Sequence, residues 1–69
     1  MKIGHRIKEL RKNIAISQEA LAYQADVDRT YVTDVENGRR NVSVEILERL
    51  IKALHISFSE FFDSKEFKK

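Results

Sequence analysis

The sequence predicts an all-α fold, five short helices packed as one domain. Three observations carry that prediction. Proline is absent and glycine occurs only twice in 69 residues, so little interrupts helix formation. Apolar residues recur at intervals of three and four, the period of one helical face. The last four helical segments each open on a serine or an aspartate, residue types that satisfy the free amides of a helix start.

Ile3, Ile7, Leu10 and Ile14 define the first helix, over about 3–12. Asn13 is expected near its C-cap, because asparagine tolerates the left-handed conformation found there. Ser17 caps a second helix over 18–25, with Leu21, Ala22 and Ala25 turned inward. Asp26-Val27-Asp28 interrupts it, with Asp26 at positive φ, and Asp28 caps a third helix over 29–37. Val32 and Val35 form its inner side and Gly38 its end. After the polar loop Arg39-Arg40-Asn41, Ser43 caps a fourth helix over 44–54, which carries Val44, Leu47, Leu50, Ile51 and Leu54. Ser57 and Glu60 form a capping box that opens a short fifth helix through Phe61 and Phe62. The domain is expected to span 1–63, with 64–69 as a short flexible tail.

Composition excludes several classes. A chain this short has a thin core, and with no cysteine neither disulfides nor thiolate metal sites support it. No apolar run approaches the ~18 residues of a membrane span, and no signal-peptide pattern opens the chain. A cytoplasmic location is expected. His5 and His55 stand apart with no ligand cluster around them, so no metal or other cofactor is expected. No nucleophile–base pair or phosphate-cradling glycine loop is discernible, which argues against an enzyme. The net charge is only +2, but it is uneven: residues 1–42 hold eight basic and six acidic side chains, residues 43–69 five of each. That bias is compatible with a polyanionic partner without demanding one.

The spacing within 17–37 says more. Two short amphipathic helices separated by about three residues must turn sharply, and they read as a helix-turn-helix in which Ala22 marks the close crossing. That arrangement turns one face of the third helix outward: Arg29, Thr30, Thr33 and Asn37, with Tyr31 and Asp34 at its edges. Arginine can bond guanine O6 and N7 together, and threonine offers a hydroxyl and a methyl. Gln18 stands at the start of the second helix, where free amides favour a phosphate. Arg39, Arg40 and Asn41 follow the third helix, in reach of the neighbouring backbone. A merely solvated polar face would carry the same residue types, but it would not require the turn.

The run Ser17-Gln18-Glu19-Ala20-Leu21-Ala22, then Val27, then Val32 to Gly38, resembles the phage-repressor-like (Cro/C1-type, xenobiotic response element) helix-turn-helix family over about residues 3–62. Asp28-Arg29-Thr30-Tyr31-Val32 with Arg40-Asn41 resembles, more narrowly, the controller proteins of restriction–modification systems. The resemblance implies a compact five-helix lambda-repressor-like domain that regulates transcription by binding palindromic operators in double-stranded DNA as a homodimer. It implies that Gln18 contacts phosphate, that Arg29 is the main base reader with Thr30, Tyr31 and Thr33 beside it, and that Arg40 and Asn41 hold phosphates beyond. RNA polymerase is a further candidate partner, since an operator acts through its position relative to polymerase. The fold position of Arg11 and Glu36 implies an ion pair between the first and third helices.

The fourth helix and its continuation carry more apolar side chains than one small core absorbs. Ile46, Leu50, Ile56 and Phe58 are therefore expected at an intersubunit surface. Two other readings remain at this point. One is a phage-type repressor or the antitoxin of a toxin–antitoxin pair. The other is a helical protein–protein interaction module that does not bind DNA.

Overall fold

The computed structural model describes residues 2–64 and 67. Five helices follow one another: α1 Lys2–Asn13, α2 Gln18–Ala25, α3 Arg29–Glu36, α4 Val44–Ala53 and α5 Phe58–Phe61. No strand is present among the described residues. Three serine caps are in place. The hydroxyl oxygens of Ser17, Ser43 and Ser57 accept from the amides of Ala20 (2.9 Å), Ile46 (3.2 Å) and Glu60 (3.1 Å). Asp28 differs from expectation: it occupies the N-cap position of α3 with an extended backbone, but its side chain accepts no cap hydrogen bond.

All four longer helices end in the same way. A residue in the left-handed region (Ala15, Asp26, Gly38 or His55) is followed by one whose amide reaches back five residues. These bonds run from Ile16 to the carbonyl of Arg11 (3.1 Å), Val27 to Ala22 (3.0 Å), Arg39 to Asp34 (2.8 Å) and Ile56 to Ile51 (3.5 Å). This 6→1 closure satisfies a carbonyl that the helix leaves free. In three of the four cases the closing residue is apolar and half-buried against the core, namely Ile16, Val27 and Ile56. The expectation at Asn13 is thereby corrected. Asn13 is helical, and the left-handed residue is Ala15, because closure there delivers Ile16 to the core. Ile14, read from periodicity as part of the inner face, is 45% exposed for the same reason.

The core joins Ile7 of α1, Leu21, Ala22 and Ala25 of α2, Val32 and Val35 of α3, Leu47, Leu50 and Ile51 of α4, and Phe61 of α5. Packing runs from α1 to α3, from α3 to α2, from α2 to α4 and from α4 to α5. Arg6 closes this circuit by donating from Nε to the carbonyl of Phe61 (2.7 Å) and from Nη2 to that of Glu60 (2.7 Å). At the α1–α3 contact the helices nearly touch through their backbones. Gly4 is buried there, and a Cβ on it would run into the carbonyl oxygen of Val35.

Two expectations about the apolar surplus are corrected. Leu50, expected between subunits, has no exposed surface and belongs to the monomer core. Its position on α4 beside Leu47, Ile51 and Leu54 puts it on the stripe that α2 covers. Phe67 was expected in a free tail. Its ring instead packs edge-on against Phe62, with centroids 5.0 Å apart, so the aromatic cluster extends beyond α5. Residues 65, 66, 68 and 69 of that tail lie outside the described residues.

Candidate nucleic-acid interface

α3 has two chemically distinct sides. Val32, Val35 and Glu36 are buried, whereas Arg29 and Thr30 are exposed and Tyr31, Thr33 and Asp34 are half-buried at the rim. Asn37, Arg39, Arg40 and Asn41 continue the exposed surface past the helix end. The left-handed turn at Asp26 (φ 58°) aims this side outward, and the small buried Ala22 lets α2 hold α3 closely. Most of the expected contact residues therefore lie together. Arg29, Thr30 and Thr33 share one face at helical spacing, with the Arg39–Asn41 loop beside them.

Tyr31 is held in place from outside. Its ring packs on the core, and the guanidinium carbon of Arg40 lies 5.1 Å from the ring centroid on the other side. This cation–π contact orders the Arg40 side chain without consuming its N–H groups. Arg39 contributes its amide to the helix closure while its side chain remains exposed.

Under this surface lies a polar network. Arg11 Nε donates to Glu36 Oε2 (2.8 Å) and Arg11 Nη2 to Oε1 (3.0 Å), with the Glu36 side chain only 1% exposed. The third guanidinium nitrogen, Nη1, donates to the carbonyl of Ile16 (3.0 Å). The hydrogen bond to Glu36 holds Arg11 above its ordinary pKa, against the opposing effect of burial. Gln18 Nε2 donates to Glu36 Oε1 (3.0 Å), and Gln18 Oε1 accepts from the Thr33 hydroxyl (2.8 Å).

This network adds a second role to the one expected of Gln18. Its carbonyl and one amide N–H are engaged inside the domain, so its side chain braces α2 against α3 and holds its second amide N–H, the one left for a phosphate, in place. The charge reading changes too. Arg6 and Arg11, two cations of the most basic stretch of sequence, spend their donors on carbonyls and carboxylates of the fold. The exposed arginines that remain near α3 are Arg29, Arg39 and Arg40. The role of Arg6 escapes sequence reasoning, since its partners are backbone carbonyls more than fifty positions away.

A second exposed region is apolar. Phe58 is 43% exposed and Val44 77% exposed, while Ile46 and Ile56 are half-buried at the edge of the core. Of the four residues expected at an intersubunit surface, Ile46, Ile56 and Phe58 thus remain accessible.

The helix-turn-helix family, compared with the chain, matches residues 7–61. The chain belongs to the helix-turn-helix family. Its helix-turn-helix is the α2–α3 pair, with α3 as the outward element. Within the family, the chain is 45% identical over 67 residues to the control protein C.MunI of a Mycoplasma species, covering 96% of this chain and 90% of that one. The crystal structure of the restriction–modification controller protein C.AhdI from Aeromonas hydrophila superposes with a TM-score of 0.84 at 46% identity, covering 88% of this chain and 92% of that one. That of the controller protein C.Esp1396I superposes with a TM-score of 0.86 at 37% identity, covering 90% of this chain and 82% of that one. C.Esp1396I was solved as a tetramer in complex with its natural 35 base-pair operator. No helix among the described residues is long and apolar enough to cross a membrane.

Proposed function

We propose that the chain is a transcription regulator of the restriction–modification controller type, binding palindromic operator DNA as a homodimer. The observation that carries this reading is the two-sided α3: one side is sealed into the core, and the other presents Arg29 and Thr30 with arginines at its exit. That helix is amphipathic in the sense a major groove requires. Arg29 bonds guanine O6 and N7, Thr30 and Tyr31 contact bases or the adjacent backbone, and Arg39, Arg40 and Asn41 hold phosphates. The operator complex of C.Esp1396I supports the same use of this fold.

One domain of this size reads few base pairs. Pairing two copies through Ile46, Ile56 and Phe58 couples two modest affinities, and two-fold symmetry sets the recognition helices about 34 Å apart, one turn of DNA. Binding of this kind makes occupancy steep in protein concentration and places the protein in the cytoplasm, where its effect on RNA polymerase depends on operator position. The reading assigns no catalysis. Selection of bound sites from a random duplex library tests it: an enriched two-fold motif is expected, and no enrichment at low salt would overturn the proposal.

A further inference from the structure

We propose that Thr33 is a specificity-determining residue, and that the buried Glu36, acting through Gln18, makes its hydroxyl an acceptor-only group toward DNA. The inference rests on the reading above, in which α3 lies in the major groove.

A guanidinium only donates, and a carboxylate only accepts. Arg11 and Gln18 both donate to Glu36, at 2.8 to 3.0 Å. Turning the Gln18 amide over would set its carbonyl against the carboxylate, so its NH2 group is fixed toward Glu36 and its Oε1 toward α3. Oε1 then needs a donor, and the Thr33 hydroxyl supplies one at 2.8 Å. A hydroxyl has a single proton. With that proton committed inward, Thr33 offers the groove only oxygen lone pairs and a methyl.

The consequence is a chemical preference. In the major groove adenine N6 and cytosine N4 donate, whereas guanine and thymine present acceptors at O6, N7 and O4. An acceptor-only Thr33 therefore pairs with an amino base on the strand it faces and meets lone pairs on a keto base. Thr33 lies one turn beyond Arg29, so the position it reads neighbours the one Arg29 reads. Gln18 and Glu36 are positioning residues here, acting on base choice without touching a base.

The test is selection from a random duplex library by the full-length protein and three variants. The wild type is expected to favour amino over keto bases by about three- to tenfold at one position per half-site, the range of one net hydrogen bond. Thr33→Val should bring that ratio near one, and Thr33→Ser should keep it. Gln18→Met removes the acceptor that holds the Thr33 proton, which frees the hydroxyl to donate to the groove. Keto bases should then rise at that position while a thermal melt confirms the fold. A wild-type preference for keto bases there, or no position at which Thr33→Val changes the ratio, would overturn the proposal. The two threonine variants decide this even if Gln18→Met fails to fold. Absence of any motif with the wild type is a different result, and it would end the DNA-binding reading itself.

Discussion

Glu36 places a carboxylate where almost no solvent reaches it, and Arg11 and Gln18 supply three donors that compensate for the lost water. Removing one partner strands the other. Glu36→Ala is expected to lower stability by about 3–5 kcal/mol in a urea melt, and a loss below about 1 kcal/mol would mean that the pair behaves as an exposed one. Arg11 carries a raised pKa, so its share of this stability is complete below its ordinary value and is lost only as pH climbs through the raised one. No titration of Arg11 therefore contributes near neutrality. Two exposed arginines separate reading from holding. Arg29→Ala should cost about 1–3 kcal/mol of operator affinity and relax preference at one base position. Arg40→Ala should weaken binding to every sequence and flatten the salt dependence by about one charge. Both effects are read by mobility-shift titration at several salt concentrations. The exposed residues of this surface were legible in the sequence, because helical spacing fixes which side chains share a face. The bracing role of Gln18 was not: an amide at a helix start says nothing of a buried carboxylate, and only the folded position of Glu36 brings the two together.

At the scale of the helix, spans were legible to within a residue or two, since serine caps and apolar spacing are local signals. Ends were harder. The third helix closes at Gly38, the second at Asp26 and the fourth at His55, residue types that tolerate positive φ, but the first closes at Ala15, which does not advertise a left-handed backbone. The better signal lay one residue further on, in Ile16 and Ile56, whose burial the closure serves. Gly4 carries a similar lesson. Nothing local requires glycine in the first turn of α1, where it costs helix propensity. The need comes from the carbonyl of Val35 on α3. Gly4→Ala is expected to lose about 1–3 kcal/mol through overpacking, measured by thermal or chemical melting. Because the obstacle is backbone, the two helices must separate, so amide chemical shifts of α3 should move along its length instead of at one residue.

For the whole molecule, the apolar residues of α4 and beyond divide differently from the expectation. Leu50 completes the core, and Phe62 and Phe67 pack edge-on against each other beside the buried Phe61. Periodicity counts the residues on a face and cannot tell which neighbour covers them. Phe58 separates assembly from folding, since it is partly exposed in the monomer. Phe58→Glu is expected to leave the helical circular dichroism unchanged and to convert a dimer to a single-chain species in sedimentation at tens of micromolar. A wild-type chain that sediments as one copy would remove the dimer. The circuit of helices closes between α1 and α5 through Arg6, and that junction is a preferred place for it to come apart. The amides of α1 and α5 should therefore surrender their protons to deuterium as a single unit, and Arg6→Lys should speed both together while the amides of α2 stay protected until the entire domain opens.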